Sequence, residues 1–344
     1  MYYPLVVPAM EVTQITLSEW ERELPNDGFD VFHTPEALRI LDEYAAGELR
    51  PFGGFKGNEL VGLLPVFVRR KLSAKAVVSP PPGLNVPRLG PVLMTNSPKQ
   101  SKQVKANQEF TRAVLETIGI DRPLVLFGLV GTLNYTDPRP YEWAGCDIET
   151  RFSYVLELDD VTQEEVLMSF SRDSRRAIKD GEELDVEVTV NGADASVLVY
   201  DEYVDRLAEQ GIDFPTPREF THDLVAVLDD NDRARVYVAE SPEGEFLSGI
   251  TVLYSNDSAY FWMGGTRAYY EDVNVNSLIT WRIIQDIISD PALASIRSFD
   301  FGNASIERVA HHKSKYNPNL VPFYEIKSGL LMKLAKKTYM TLSY

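Results

Sequence analysis

Three consecutive strand-like segments followed by a strongly apolar helix constrain the fold of this chain more than any other feature. The segments read ARVYVAE, EFLSGITVLYS and SAYFWMGG, and turn residues at 241–244 join the first two. Strands separated by such short turns pair in an antiparallel sheet. The next segment, VNSLITWRIIQDII, is apolar on most of its circumference, which is typical of a buried helix. The sequence therefore predicts antiparallel strands with a buried helix packed on them.

These segments belong to a longer series of elements that begins near residue 151. The strand FSYVLELD comes first, and one helix over VTQEEVLMSFSRDSRRAIKDG follows it and ends at Gly181. The strand ELDVEVTV and two helices within 193–229 precede the three strands. After the buried helix come the strands IRSFDFGN and LVPFYEI, with a helix between them. This order predicts one lobe over 151–344.

The first 150 residues predict a looser copy of the same arrangement. A helix over HTPEALRILDEYAAG has Thr34 as its N-cap and Pro35 at its first position, and it ends at Gly47. A hairpin with a turn at 56–58 follows, then a helix over 100–118 and the buried strand RPLVLFGLV. A chain of 344 residues also exceeds the usual span of one hydrophobic core. We predict an α/β (α+β) fold with two lobes, 1–150 and 151–344, each a mixed, mainly antiparallel sheet flanked by helices.

The chain is strongly acidic. It has 51 acidic residues against 34 basic ones, a net charge of -17, and the acidic residues are dispersed. Such a surface repels itself at low ionic strength and is tolerated where salt screens it. We therefore expect a halophilic source, an archaeon with an acidic proteome; an acidic protein of a non-halophile is the alternative. Nonspecific nucleic-acid binding is disfavoured, because phosphate contacts need basic surface.

Compartment and membrane contact are also predicted from the sequence. The single cysteine, Cys146, fits a reducing compartment, and the first residues resemble no secretory signal. We expect a cytoplasmic protein. The C-terminal tail, 327–344, mixes leucines with lysines, so it predicts either a peripheral contact with the inner face of an anionic membrane or packing of its apolar side on the second lobe.

Basic residues are gathered into four clusters within this acidic chain. Each cluster alone is explained by a solvated face, whereas the set marks sites for anionic ligands. The clusters are Arg69, Arg70, Lys71 and Lys75; Arg172, Arg175, Arg176 and Lys179; Lys313 and Lys315; and Lys327, Lys333, Lys336 and Lys337.

Three stretches resemble the FemAB-like branch of the acetyltransferase (GNAT) superfamily. The stretch SFSRDSRRAIKDG carries a basic pattern similar to the family's at 175–179. NVNSLITWRIIQDII followed by SFDFGNAS is similar to the family's helix and the strand behind it. In HHKSKYN, Lys313 and Tyr316 fall on the family's lysine and aromatic positions, and HTPEALRILDEY resembles the usual first-lobe opening. The resemblance implies two GNAT-like lobes, with the active groove in the second.

The resemblance also implies a transferase activity. We expect an acyltransferase that moves an acyl or aminoacyl group onto an amine of a cell-envelope or sugar/peptide precursor, with acyl-CoA or aminoacyl-tRNA as donor. The acceptor would be a small-molecule or lipid-linked anion. A non-catalytic GNAT-fold protein that binds an anionic ligand is the alternative.

Three departures from the family pattern affect this expectation. His312 replaces an aromatic residue and Asn317 replaces a glycine around the lysine motif. The segment before the buried helix has no glycine after Gly265, although a glycine-rich loop there lets backbone amides approach a pyrophosphate. The missing glycines weaken the case for coenzyme A as donor.

Acyl transfer to an amine needs a donor group near the developing oxyanion, a base, and a place for the anionic handle. Lys313 is the predicted donor, to a phosphate or to the oxyanion, with solvent exposure beside acidic residues as its other explanation. Asp300 and Glu307 are candidate bases, and His311 or His312 a candidate proton shuttle. Adjacent histidines diverge, so we expect no metal site.

Substrate binding is predicted for two sets of residues. The cations of the helix could hold phosphates, or they could complement the helix dipole. We expect Arg175 and Arg176 to converge with Lys313 on one concave surface. Aromatic residues could wall the groove, or they could belong to the core. The predicted binding residues are Arg172, Arg175, Arg176, Lys179, Tyr260, Trp262 and Tyr316, with Tyr269 as a further aromatic candidate.

Overall fold

The computed structural model describes residues 9–95, 97–266 and 268–328. The chain divides into two compact units, and of the described residues the first contains 9–150 and 323–328 and the second 151–322. The division after residue 150 coincides with the predicted boundary. Residues 323–328 differ from the prediction and group with the first unit, because Glu325–Lys327 pair with strand residues 128–130.

The described residues form fifteen strands. In chain order they are β1 (Met10–Gln14), β2 (Glu48–Lys56), β3 (Glu59–Lys71), β4 (Ala74–Ser79), β5 (Val92–Leu93), β6 (Val125–Val130), β7 (Cys146–Glu157), β8 (Glu187–Asn191), β9 (Ala234–Glu240), β10 (Phe246–Tyr254), β11 (Ser258–Gly264), β12 (Tyr269–Tyr270), β13 (Val273–Asn274), β14 (Ser298–Asn303) and β15 (Asn319–Ser328).

Ten α-helices lie within the same residues. They are α1 (Leu17–Glu23), α2 (Pro35–Tyr44), α3 (Gln100–Ile118), α4 (Arg139–Trp143), α5 (Gln163–Ser169), α6 (Arg172–Glu183), α7 (Ala193–Ala208), α8 (Arg218–Asp229), α9 (Val275–Ser289) and α10 (Glu307–Lys313). None of these helices has the length and apolar character needed to cross a membrane.

The sheet of the first unit has the order β1-β2-β3-β4-β6-β15, with β5 beside β3. All of its pairings are antiparallel except that of β4 with β6, which runs parallel over five residue pairs from Lys75–Val125 to Ser79–Leu129. The crossover between these two strands contains α3, whose apolar side chains, Phe110 and Val114 among them, are buried in the core of this unit.

The sheet of the second unit has the order β7-β14-β11-β10-β9-β8. Here too a single pair is parallel, β11 with β14, and the crossover between them contains α9. The helix is buried on most of its surface, with Ile279, Ile283 and Ile284 fully covered, as its composition predicted. The short pair β12–β13 lies in the segment that leads into α9.

The two units share one topology: an antiparallel meander, a crossover helix, and a return strand parallel to the last strand of the meander. This confirms the predicted fold class, two lobes with mixed, mainly antiparallel sheets flanked by helices. The parallel pairing differs in length, because β4 and β6 stay together for five residue pairs whereas β11 and β14 stay together for three.

One predicted helix is in fact two. The chain breaks after α5, and the Ser171 hydroxyl then caps α6 by accepting a hydrogen bond from the Ser174 amide. The Ser171 amide donates to the Lys315 carbonyl at 2.8 Å, which fixes the break. Gly181 lies inside α6 rather than at its end. The cations predicted at the C-terminal end of a helix therefore start in its first turn.

Candidate active site

The parallel strands β11 and β14 separate at their carboxyl ends. Their pairing stops at Tyr260 and Asp300. Beyond this point β11 continues beside β10 as far as Gly264, while β14 follows β7 after a bulge between Asp300 and Gly302. Crevices outside the carboxyl ends of parallel strands are the usual ligand sites of open α/β sheets. The divergence is therefore the expected position of a ligand site in the second unit.

Lys313 lies at this divergence. It is the last residue of α10, and its Nζ donates a hydrogen bond to the Asn303 carbonyl at 3.3 Å. The same ammonium lies over the ring of Phe261, 5.9 Å from the ring centroid. The lysine is thus held by the last residue of β14 and by the first residue of β11 beyond the paired segment. The structure places the predicted donor beside the gap between the two strands.

Gly302 keeps this gap open. Its φ is +78°, and a Cβ atom at this position would lie 3.5 Å from the Tyr260 ring and 3.7 Å from Lys313 Nζ. Tyr260 is half-buried, so its ring borders the gap without being part of the core. The structure therefore brings two predicted residues, Tyr260 and Lys313, to the same few ångströms of space.

Asp300 is buried directly behind the gap. Its Oδ1 accepts hydrogen bonds from the Ser153 hydroxyl at 2.6 Å and from the Gly302 amide at 2.7 Å. These bonds hold the backbone turn at Gly302, so the carboxylate positions the residues at the gap. Glu307, the other candidate base, is 92% exposed and lies 4.0 Å from His311 Nε2.

Two of the predicted groove residues lie instead in the core. Tyr316 is buried, its ring stacks on Phe301 with centroids 5.3 Å apart, and its hydroxyl lies 3.2 Å from the Ser277 hydroxyl. Burial raises the pKa of the Tyr316 phenol. Trp262 is buried and packs edge-on against Phe220.

The remaining aromatic and histidine candidates are exposed. Tyr269 is 53% exposed and pairs in the short hairpin ahead of α9. His312 lies edge-on to Tyr316 with centroids 6.3 Å apart. Although one edge of its ring reaches solvent, crowding by neighbouring atoms and the charges of Lys315 and Lys313 lower the pKa of His312. The neutral imidazole is therefore favoured near pH 7. No group of His, Cys, Asp and Glu side chains suited to a metal ion occurs among the described residues.

The cations of α6 divide into two groups. Arg176 and Lys179 are exposed, and each pairs with the carboxylate four residues ahead, Asp180 and Glu183, at 3.2 Å. Arg176 therefore differs from the expected convergence, because its side chain is 80% exposed beside its own carboxylate.

Arg172 and Arg175 lie in the first turns of α6, near the segment that follows Lys313. Arg172 is exposed, and Arg175 is half-buried with its guanidinium 3.2 Å from the Met168 sulfur. Cations at a helix N-terminus oppose the helix dipole rather than complement it. The dipole explanation therefore fails for these two residues.

The start of α9 is closed to a phosphate group. The Asn274 side chain accepts the Asn276 amide at 3.0 Å, and the first residues of the helix are buried. The Asn276 side chain is itself bonded to the Ser248 hydroxyl and to the Thr266 carbonyl. A helix N-terminus that binds pyrophosphate needs open amides. This agrees with the missing glycines noted in the sequence.

A cavity of about 480 Å³ lies elsewhere in the second unit, bordered by β8, β9, α8 and α9. Its lining has two arginines, which pair with aspartates (Arg235 with Asp290 at 2.7 Å and Arg282 with Asp286 at 2.8 Å), and two further aspartates, Asp229 and Asp232, so its net charge is negative. We therefore place the candidate site at the strand divergence, where the Lys313 ammonium and a gap coincide.

Sequence reasoning missed three contributors to this site: Ser153, Phe261 and Gly302. Gly302 left a signal, because a glycine inside a strand often marks a bulge or a close approach. Ser153 left none, since only the fold brings β7 beside β14.

Comparisons with known proteins agree with this geometry. The family model described as "Acetyltransferase (GNAT) domain" matches residues 168–314. No curated protein matches the chain.

Solved structures share the fold at low sequence identity. FemX is 11% identical with a TM-score of 0.65, over 91% of this chain and 96% of that one. The C-terminal domain of a putative lysylphosphatidylglycerol synthetase from Agrobacterium fabrum is 13% identical with a TM-score of 0.55, over 95% of each chain. A tandem GNAT protein from the clavulanic acid biosynthesis pathway is 12% identical with a TM-score of 0.51, over 93% of this chain and 99% of that one.

The matched residues include β11, α9, β14 and α10, the elements that form the candidate site. The family match and the shared fold confirm the predicted FemAB-like resemblance and the assignment to the acyltransferases. Residues 168–314 match the model of a GNAT acetyltransferase domain, in a chain that shares the fold of FemX.

Proposed function

We propose that this protein transfers an acyl or aminoacyl group to an amine of a cell-envelope or sugar/peptide precursor, at the divergence of β11 and β14. The observation that carries the proposal is the position of Lys313. Its ammonium stands beside an open gap between two parallel strands, held by the Asn303 carbonyl and the Phe261 ring.

The residues at the gap fit the chemistry of acyl transfer. The acceptor nitrogen attacks the carbonyl carbon of an ester or thioester, the carbonyl oxygen becomes an oxyanion, and the leaving oxygen or sulfur departs with a proton when the carbonyl reforms. Lys313 is positioned to donate to the oxyanion. His312, whose pKa is lowered by desolvation, is a candidate to accept the proton that the amine loses.

The start of α9 bears on the identity of the acyl donor. The capped and buried start of α9 removes the amides that would cradle a pyrophosphate. This favours aminoacyl-tRNA, or another ester whose phosphates bind elsewhere, over acyl-CoA. Arg172 and Arg175, at the start of α6, are candidates to bind an anionic part of the donor or of the acceptor.

The names of the similar structures suggest the class of acceptor. One is FemX and another belongs to a lysylphosphatidylglycerol synthetase. By analogy we propose an anionic small-molecule or lipid-linked acceptor and a cytoplasmic protein that works at the inner face of the membrane. The tail at 327–344, proposed earlier as a peripheral contact, lies outside the described residues beyond Ser328.

The test measures transfer and binding separately. Purified protein is incubated with a labelled acetyl-CoA or a labelled aminoacyl-tRNA pool and with nucleotide-sugar peptides or amine-containing lipids as acceptors. Product formation that is lost in Lys313→Ala and kept in Lys315→Ala supports the proposal. Lys315 is the matched control because it is exposed, basic and two residues away.

A non-catalytic binding protein for an anionic ligand is the second candidate, favoured by the closed start of α9. Thermal-shift screening of the same donors and nucleotide sugars distinguishes the two, since a ligand of the native state raises the unfolding temperature. Binding to the wild type without transfer to any acceptor would favour this second function.

A further inference from the structure

The hairpin between β3 and β4 carries an unusual residue at its tip. The two strands pair up to Lys71 and Ala74, which leaves a two-residue turn of Leu72 and Ser73. The Leu72 side chain is fully exposed, at 101% of its reference area. No other large apolar side chain among the described residues is as exposed.

The backbone conformation at Leu72 is also unfavourable for a leucine. Its φ is +53°, in the left-handed region where glycine, asparagine and aspartate are preferred. An exposed leucine here gains nothing from burial and opposes the local preference of the turn. A residue that neither packs in the core nor suits the local backbone indicates a function in contact with another molecule.

A second exposed leucine lies next to this hairpin. Leu124 is 48% exposed, and its carbonyl accepts the amide of Lys75 at 2.9 Å, so it adjoins the base of the hairpin. Leu124, which directly precedes β6 of the same sheet, is therefore a second exposed leucine beside the base of the hairpin.

Basic residues surround the two leucines. Arg69, Arg70 and Lys71 precede the turn and are exposed. Arg70 stands directly opposite Lys75 across the hairpin. Like charges opposite one another in a sheet are destabilising, so the fold tolerates this arrangement without benefiting from it.

Arg50 and Arg122 extend the cluster toward the neighbouring strands. Burial lowers the pKa of Lys75 most, and the charges of Arg70, Arg50 and Arg122 lower it further. Glu48 accepts a hydrogen bond from Arg50 at 3.0 Å, and this bond and the charges of Arg50 and Arg70 lower the pKa of Glu48. Five cations, Arg50, Arg70, Lys71, Lys75 and Arg122, are thus grouped around the hairpin in a chain with a net charge of -17.

We propose that the hairpin patch, defined as Leu72 and Leu124 with Arg50, Arg69, Arg70, Lys71, Lys75 and Arg122, docks on an anionic lipid bilayer. The tip leucine enters the boundary between headgroups and acyl chains, and the flanking cations contact lipid phosphates. A convex apolar tip surrounded by cations has the chemistry of a peripheral membrane contact. Single-stranded RNA would use stacking aromatic residues, which the patch lacks. A protein partner would use a broader apolar surface than two leucines.

Co-sedimentation with vesicles tests the patch in the full-length protein. At low salt we expect binding to vesicles of phosphatidylcholine with one quarter phosphatidylglycerol and little binding to phosphatidylcholine alone. Leu72→Asn should weaken binding about tenfold, because the leucine no longer enters the bilayer while asparagine suits the left-handed backbone. Arg69→Gln, Arg70→Gln and Lys71→Gln should each weaken it about fivefold. Ile212→Asn, at an exposed apolar residue of the second unit, is the control and should bind as the wild type does.

A second measurement reports insertion directly. Cys146 is buried, and burial raises the pKa of its thiol to about 11, so a thiol introduced at the surface can be labelled selectively. An environment-sensitive fluorophore on Leu72→Cys should shift to the blue on anionic vesicles, while the same fluorophore on Ile212→Cys should not.

Three outcomes would overturn the proposal. The first is vesicle binding that Leu72→Asn and the charge variants leave unchanged, which would assign any membrane contact to another segment. The second is binding of the patch to a homopolymeric RNA but not to vesicles. The third is a dimer in sedimentation velocity that Leu72→Asn dissociates, because the patch would then contact a second copy.

Discussion

The ammonium of Lys313 lies over the ring of Phe261, with Nζ 5.9 Å from the ring centroid. The two residues belong to α10 and β11, and the contact spans the opening where β11 and β14 separate. A lysine held over an aromatic face loses side-chain freedom before any ligand arrives. The charge is therefore positioned at the gap in the unliganded protein.

Replacement of Lys313 should separate activity from stability. Lys313→Ala removes the charge at the gap, and loss of one oxyanion donor costs about a hundredfold or more in turnover. The free energy of unfolding should change by about 0.5 kcal/mol or less, because the side chain is only partly buried. Turnover assays and urea titrations check the two expectations, with Lys315→Ala unchanged in both. Equal turnover in the two variants would contradict the assigned role.

Gly302 offers a test of the gap itself. Gly302→Ala places a methyl group 3.5 Å from the Tyr260 ring and 3.7 Å from Lys313 Nζ, inside the space proposed for substrate. It also strains the backbone, whose φ is +78°. Gly244→Ala is the control, since its φ is +81° and nothing lies within 4 Å of its added methyl.

Both glycine variants should lose about 1 kcal/mol of unfolding free energy from the left-handed backbone. Only Gly302→Ala should also lose substrate binding, seen as a higher KM or a lost thermal shift. If both variants keep the wild-type KM, the gap does not hold the substrate.

Asp300 should behave as a positioning residue. Asp300→Ala removes the oxygen that accepts hydrogen bonds from both the Ser153 hydroxyl and the Gly302 amide. A buried hydrogen-bond partner lost in this way costs about 1 to 3 kcal/mol. We expect a lower unfolding midpoint and a higher KM, with the pH profile of kcat unchanged. A shifted pH profile would instead make the carboxylate the base.

The sequence predicted the elements of the second unit better than the partners within its site. Alternation along β9–β11 and the apolar helix α9 were sufficient for the sheet and its crossover, because period and turn residues are local properties. The break at Ser171 was missed because it depends on the Lys315 carbonyl, which is distant in sequence.

The burial of individual side chains at the site was also not predictable from the sequence, because it depends on residues that are distant along the chain. Trp262 is buried by its contact with Phe220 of α8, whereas the adjacent Phe261 is only partly buried, and neither outcome is a local property of the sequence. Lys313 was singled out through resemblance to a family pattern rather than through any local signal, and its position beside Tyr260 was not predicted.

Stability should fall as the pH decreases below about 6.5. His33 is fully buried, and burial lowers its pKa, although the carbonyls of Gly90 and Asp30, each 3.1 Å from a ring nitrogen, oppose this. The unfolded chain, with a histidine pKa near 6.5, then binds a proton that the folded one does not. The stabilisation is therefore present above that pH and lost as the pH falls toward the lowered pKa.

Urea titrations between pH 7.5 and pH 5.5 measure this slope. His33→Gln should reduce it, leaving the part due to His312, whose pKa is also lowered. His222→Gln should steepen it, because Asp223 raises the pKa of His222 and so makes that residue more stabilising at low pH. An identical slope in wild type and His33→Gln would rule out the buried imidazole as the source.

Salt dependence tests the meaning of the acidic surface. With 51 acidic and 34 basic residues, repulsion among carboxylates should destabilise the folded chain in dilute buffer. The screening length falls from about 10 Å at 0.1 M salt to about 3 Å at 1 M, so the unfolding temperature should rise steeply over this range of potassium chloride. Sucrose is the control, because it stabilises by exclusion from the surface without screening charge. If the acidic surface is a halophilic adaptation, potassium chloride should raise the unfolding temperature much more than sucrose does. An unfolding temperature that does not change with salt would contradict a halophilic adaptation.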